Sequence, residues 1–246
     1  MAIWLIFLLI LGTVITSTLS ALFGLAGGTL LFAMLSWALD AKQAIPLHSG
    51  IQLVSNSARL IAYIKSVEWK IVGWFSVLLL PGAYWGGMFY GFFNPNITEL
   101  LVGCFILITV IFPSENKKDT KTWIFIILGF LSSFLGMIVA VTGPFISSFF
   151  VLNNITKERM LATKSVCQAS TQLVKMLAFS TTVAFDFSQH YMLMVMLGLA
   201  TIVGTFLGSR LIKKIQDYHY NLLNNWLLSI IAVSMIIKQI IVLFIE

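Results

Sequence analysis

Apolar segments of roughly twenty residues, the length a helix needs to cross a hydrocarbon layer ~30 Å thick, recur from one end of the chain to the other. The pattern gives Ile3 to Leu39, broken at Gly24 to Gly28, then Ile45 to Lys65, Trp69 to Phe93 and Ile97 to Phe112. A soluble run follows, Pro113-Ser-Glu-Asn-Lys-Lys-Asp-Thr-Lys121. Beyond it lie Trp123 to Leu152, broken between Gly136 and Pro144, then Met160 to Phe185, Tyr191 to Ile212 and Tyr220 to Phe244. Strand-like alternation is absent, which disfavours a barrel.

The two halves match one another. An ungapped pairing of Asp40–Ala62 with Thr156–Ala178 sets Ser49 on Ser165, Gln52 on Gln168, Ser55 on Thr171, Asn56 on Gln172 and Arg59 on Lys175. Ahead of these stretches, Leu19-Ser-Ala-Leu-Phe-Gly24 is echoed by Leu131-Ser-Ser-Phe-Leu-Gly136; behind them, Glu68-Trp69 meets Asp186-Phe187 and Gly86 meets Gly204. The coincidences fall on polar residues, which chance rarely picks out in so apolar a sequence, and they predict descent from one duplicated unit. The predicted organisation is a first repeat over residues 1–112, a linker over 113–122 and a second repeat over 123–246. In each repeat a broken, glycine-containing segment (3–39 or 123–152) precedes three spans: 45–65, 69–93 and 97–112 in the first, 160–185, 191–212 and 220–244 in the second.

Basic residues choose between parallel and inverted copies. If every segment crosses, Lys65, Lys70, Lys117, Lys118 and Lys121 face one side, and Lys42, Lys157, Arg159, Arg210, Lys213 and Lys214 the other, without bias. If both broken segments are re-entrant hairpins, all of these except Lys42 share one face, as cytoplasmic loops should. In the second copy, Trp123 to Leu135 and Phe145 to Leu152 would each extend ~20 Å or less, too short to span. Ile3 to Phe23 would reach ~31 Å, so the first hairpin has to be tilted or partly interfacial. The predicted fold class is therefore an all-α integral membrane protein of two inverted repeats, with both termini outside and the linker in the cytoplasm.

Composition sharpens this picture. Of 246 residues, 59% are hydrophobic and 10% charged, and the mean hydropathy is +0.97, too apolar for a core wrapped in a polar surface. The net charge of +6 is scattered through short loops and spans, which argues for a lipid bilayer and against nucleic acid as the partner. Cys104 and Cys167 sit in apolar segments without metal-ligand or redox spacing and are expected to be small buried fillers. Gly82-x-x-x-Gly86 and Ala200-x-x-x-Gly204-x-x-x-Gly208 place small residues one turn apart, where helices can approach closely.

The candidate chemistry lies in the paired polar spans. His48, Gln52, Ser55 or Asn56, and Arg59 recur at helical spacing and form one stripe. Lys164, Gln168, Thr171 or Gln172, and Lys175 repeat it. Lys164, a turn inside its segment, is expected to snorkel to the cytoplasmic surface. A cation at span depth costs about 2.5 to 3.5 kcal/mol on insertion scales. The nine acidic residues all lie in loops or at segment ends, so a bound anion is expected to balance Arg59 and Lys175. The breaks add donors: Gly27, Gly28 and Thr29 open one half-helix, and Thr142 and Gly143, followed by Pro144, open the other, each aiming free N–H groups into the membrane. With Gly24, Ser49, Gly136 and Ser165, these residues form the predicted substrate site, of a type found in secondary transporters with inverted repeats.

The break Gly24-x-x-Gly-Gly28, the polar helix from Ala44 to Arg59, the Val67-Glu-Trp69 start of the next span and the degenerate second copy of the pattern resemble the TauE/SafE family of membrane permeases. The resemblance covers nearly the whole chain. It implies transport of small sulfur-containing anions such as sulfite or sulfonates, usually outward across a bacterial cytoplasmic membrane, with the glycine motifs carried by Gly24, Gly27, Gly28, Gly136 and Gly143. Two departures are the missing proline within Thr29–Ser36 and His48 in place of a small or hydroxyl residue.

Function is expected to follow: a secondary transporter, and an exporter, of small anions. A passive anion channel or a non-transporting subunit are the alternatives. No G-x-x-x-x-G-K, H-E-x-x-H, paired-carboxylate or nucleophile motif is present, so neither an enzyme nor a cofactor is expected. The topology is open to test. With Cys104 and Cys167 replaced by alanine, a cysteine at Asn116 is expected to resist a membrane-impermeant thiol reagent in intact cells and to react in inside-out vesicles. Labelling from outside would reverse the orientation.

Overall fold

A computed structural model of the chain describes residues 3–23, 26–92, 97, 100, 101, 104, 107, 108, 111, 123–140, 142, 143, 146, 157–211, 226, 229, 230, 232–234, 236, 237, 240 and 241. Gly24, the linker 113–122 and, apart from Ile146, the stretch from Pro144 to Leu152 lie outside the described residues. Among those described, every regular element is helical: α1 (Ile3–Phe23), α2 (Ala26–Ala38), α3 (Ala41–Tyr63), a 3-10 turn (Ile64–Ser66), α4 (Trp69–Ser76), α5 (Leu79–Tyr90), α6 (Ile124–Val139), α7 (Lys157–Thr182), a second 3-10 turn (Phe187–His190) and α8 (Tyr191–Leu211).

The centre is the pair α3 and α7. They contain 23 and 26 residues, enough for ~35 Å or more at 1.5 Å per residue, yet both carry too many polar side chains to face lipid. They pack on each other instead. The pair is antiparallel, because the end of α3 meets the start of α7. There Arg159 pairs with Glu68 at 2.9 Å, Ser66 donates to Glu158 Oε1 at 2.7 Å, and the Glu68 N–H donates to Thr163 Oγ1 at 2.9 Å. The Arg159–Glu68 and Ser66–Glu158 contacts are exposed and fix register more than they add stability, since such pairs contribute about 1 kcal/mol or less. In the loop after α7, the Ser188 hydroxyl and N–H, with Gln189, donate to Asp186 and hold its carboxyl below the usual range.

Around this pair the helices turn apolar faces outward. Ile3, Phe7, Leu11 and Ile15 form the exposed stripe of α1, and Tyr191, Val195, Leu199, Ile202 and Phe206 that of α8. The buried sides carry Thr13, Ser17 and Ser20, and Thr201 and Thr205. A protein folded in water has the reverse arrangement. The stretches Ile3–Leu22 and Phe187–Leu211 are long and apolar enough to cross a membrane, and α4 with α5 makes a third if the bent pair is one span. The protein is thus an integral membrane protein.

Two tight parallel seams hold the outer helices. Gly204 and Gly208 of α8 lie on the backbone of α1, where an added Cβ would collide with the carbonyls of Val14 and Thr18; Ser17 donates to Thr201 Oγ1 across the same seam at 3.2 Å. On the other side Gly86 of α5 faces α6, where a Cβ would stand 2.7 Å from the Phe134 carbonyl oxygen. The small-residue spacing predicted close approach at both places, and both are occupied by backbone.

One predicted span carries a bend, and two sequence expectations are revised. The span over 69–93 is bent by 41° between α4 and α5. Pro81 has no N–H for the carbonyl of Val77, and the Ser76 hydroxyl donates to the Val72 carbonyl at 2.8 Å, so the helical ladder breaks at this point. Cys104 is exposed rather than a buried filler, while Cys167 is buried; Cys104 lines an apolar groove with Phe134 and Ile138. Lys164 does not snorkel. It is buried, because α7 begins at Lys157 and so places it two turns inside, on the side of Arg59. One test addresses the seams. Gly204→Val is expected to destabilise the detergent-solubilised protein by about 1–3 kcal/mol through overpacking, read as a lower unfolding temperature, whereas Leu199→Ala on the outward face of α8 leaves it nearly unchanged. Equal unfolding temperatures for the two variants would show that the seam does not carry this load.

Candidate functional site

Helical spacing sends His48, Gln52, Ser55, Asn56 and Arg59 from α3 toward α7, and Lys164, Gln168, Thr171, Gln172 and Lys175 from α7 toward α3. Most of these side chains are buried. Three short hydroxyls of these helices are satisfied locally, while that of Ser55 is buried without a hydrogen-bond partner among the described residues. Ser49 donates to the Ile45 carbonyl at 3.1 Å, Ser165 to Leu161 at 2.8 Å and Thr171 to Cys167 at 2.9 Å. They serve their own helices and leave the longer amides to meet in the middle.

Backbone breaks reach the same depth. After α1 ends at Phe23, α2 begins at Ala26, and the N–H groups of its first turn have no intrahelical acceptor. Gly27 packs against α1, where a Cβ would collide with Ser20 and the Thr16 carbonyl. Gly28 admits Gln52: a Cβ there would stand 3.1 Å from Gln52 Nε2. In the second half, α6 stops at Val139 and the chain turns through Ala140, whose φ of 58° is unusual for a residue with a Cβ. A new helical turn starts at once, with the Ile146 N–H bonded to the Thr142 carbonyl at 3.0 Å.

A polar cavity of ≈ 30 Å³ lies where these parts converge, lined by Ser20, Gly28, Thr29, His48, Gln52, Asn56, Ala140, Thr142, Gly143, Gln168 and Gln172. That volume suits one or two waters or a compact ion. Three lining atoms are buried with no hydrogen-bond partner among the described residues: Thr29 Oγ1, His48 Nδ1 and Gln172 Oε1. Buried polar atoms are normally satisfied, and orphans call for an unseen partner.

The predicted cations stand one layer behind the cavity. Arg59 Nη2 donates to Ser20 Oγ at 2.7 Å, and Lys175 Nζ donates to the Ala140 carbonyl at 3.3 Å. Neither is in the lining, but each bonds to a residue that is. Lys175 is fully buried and lies along Gly136, where a Cβ would stand 3.1 Å from its Cδ. Arg59 thus polarises a cavity hydroxyl, and Lys175 holds the strained turn at Ala140. Of the predicted site residues, Gly28, Thr29, His48, Gln52, Asn56, Thr142, Gly143, Gln168 and Gln172 are brought together around one space. Gly27, Ser49, Gly136, Ser165, Thr171, Arg59 and Lys175 support it from outside the lining, and Gly24 lies outside the described residues.

Sequence reasoning missed Ser20 and Ala140. Ser20 sits inside the Leu19-to-Gly24 echo of Leu131 to Gly136, so the repeat itself was the available signal. Ala140 acts through its carbonyl and its backbone angle, which residue type does not reveal.

Compared with known proteins, the chain matches the family described as sulfite exporter TauE/SafE over residues 8–235. No curated protein and no solved structure matches it. The family match takes in both breaks, both polar helices and every residue around the cavity, and the chain therefore belongs to the TauE/SafE family of membrane transporters.

Proposed function

We propose that the protein is a secondary transporter, and an exporter, of a small sulfur oxyanion such as sulfite or a short organosulfonate, and that the cavity between α3 and α7 is its binding site. The observation that carries this reading is the convergence of two half-helix starts, at Gly28 and Thr29 and at Thr142 and Gly143, on a space where the orphan Thr29 hydroxyl, which can donate, has no protein partner among the described residues. Free N–H groups and the positive ends of helix dipoles favour an anion, and Arg59 and Lys175 behind them add positive potential. Sulfite and sulfonate groups present three oxygens on one compact centre, which suits donors arriving from both halves.

Transport is by alternating access between inverted repeats. The helix pairing supports this: α1 of the first half packs on α8 of the second, α6 of the second packs on α5 of the first, and the repeated helices α3 and α7 cross antiparallel. A two-fold axis in the membrane plane generates that reciprocal exchange, and rocking one repeat against the other would open the cavity to each side in turn. The small cavity favours a carrier over a pore, because it holds a single ion rather than a file of them. The basic loops support a cytoplasmic linker, and the family supports a bacterial inner membrane.

Binding and flux test the proposal. Sulfite and methanesulfonate are expected to raise the unfolding temperature of the purified protein, as any ligand of the folded state does, more than acetate at the same ionic strength. In proteoliposomes, flux is expected to saturate and to show counterflow; ion current without saturation would identify a channel instead. Gln172→Leu and Thr29→Val are each expected to weaken binding about tenfold, or ~1.4 kcal/mol, in a folded protein. Unchanged affinity in both would remove the cavity as the site.

A further inference from the structure

The His48 ring is held in one orientation. Its Nε2 lies 2.9 Å from the Gly28 carbonyl oxygen. A carbonyl can only accept, so Nε2 carries the hydrogen. Phe32 meets the ring edge-on, with centroids 5.6 Å apart and planes at 75°, and keeps it from turning over. In the neutral ring this leaves a lone pair on Nδ1. That atom is buried, has no partner among the described residues and belongs to a cavity-lining side chain that is only 2% exposed.

A lone pair directed at a bound anion is repulsive, whereas an N–H there is a donor in the position an anion needs. We propose that His48 is the proton site of the transport cycle: when an anion occupies the cavity, the ring carries hydrogens on both Nδ1 and Nε2, and anion and proton are bound together. The step is a simple protonation. A proton from water on the loading side bonds to Nδ1 as the anion enters, and that bond breaks on the releasing side when the anion leaves. This inference rests on the anion-transport reading above and adds what is carried with the anion.

The surrounding charges suit this coupling. Of the helices packed on α3, α2 and α6 have no ionisable side chain, and α8 has only Tyr191 at its start and Arg210 in its last turn. From α7 comes Lys175, whose charge interacts with the ring; Lys164 and, on α3 itself, Arg59 stand toward the opposite end of the pair, and Glu158 and Arg159 lie at the surface where α3 ends. No acidic side chain among the described residues lines the cavity. A cationic ring beside Lys175 therefore has the entering anion as its counter-charge, which makes the two binding events cooperative rather than independent. A monoanion then crosses as a neutral pair, in whichever direction the combined gradients of anion and proton point, and export follows when an acid accumulates inside.

Calorimetry can count the proton. Methanesulfonate does not titrate near neutral pH, so any uptake belongs to the protein. Titrated into the detergent-solubilised full chain at pH 8 in two buffers of different ionisation enthalpy, it is expected to take up close to one proton per anion, with affinity falling about tenfold per pH unit. H48Q, whose amide can still donate to Gly28, is expected to bind more weakly with no uptake and no slope. In ¹⁵N-histidine-labelled protein, which has only three histidines, one Nδ1 signal, identified by its absence from H48Q, is expected to move to the imidazolium position on adding the anion. Binding without proton uptake, uptake that persists in H48Q, or an unmoved His48 signal would each overturn the proton site while leaving the anion site standing. Absence of binding by both methanesulfonate and sulfite at every pH from 5 to 8 would overturn the transporter reading as well.

Discussion

The structure depends on burying a polar seam inside a membrane. The stripes of α3 and α7 cannot face lipid, where unsatisfied polar groups cost several kcal/mol each, so the two helices are driven together and everything else is arranged to cover them. The hydroxyls of Ser49, Ser165 and Thr171 return their hydrogen bonds to their own helices. The amides, the imidazole and the two cations cannot do so. They extend to the crossing, where a pair of broken helices offers backbone donors and acceptors in return. The cavity is what remains when those mutual demands are only partly met.

The basic side chains act through intermediaries. Arg59 meets a hydroxyl of α1, and Lys175 meets the carbonyl of Ala140, whose φ is positive. Both interactions tie the broken segments to the central pair. A shift of either half against the other moves the cations, the breaks and the cavity wall together. The site and the device that would open it are therefore built from the same contacts.

How much of this could be read from the sequence depended on whether residue type and spacing carried the information. The stripe His48, Gln52, Asn56 and its partner Gln168, Gln172 were legible because helical periodicity fixes a face, and the duplication singled them out. The small-residue seams were legible for the same reason. Three features were not. Pro81 bends a hydrophobic run that is continuous by composition. Lys175 reads as a ligand because its charge is visible, while the carbonyl it holds is not. Ser20 looks like any hydroxyl in an apolar helix until Arg59, 39 residues away, is placed against it.

The seam between α1 and α8 has a consequence for how the chain is made. Ser17 and Thr201 are 184 residues apart, so the first helix enters the bilayer long before its partner exists. During that interval Gly204 and Gly208 have not been synthesised, and although α2 and Arg59 can already reach Ser20, the part of α1 that carries Ser17 lacks its partner Thr201. Contacts of such long range are slow to form. Biogenesis therefore has a waiting period, during which the insertion machinery or transient neighbours must shelter the first helix, and a chain truncated before α8 leaves that helix permanently without its mate.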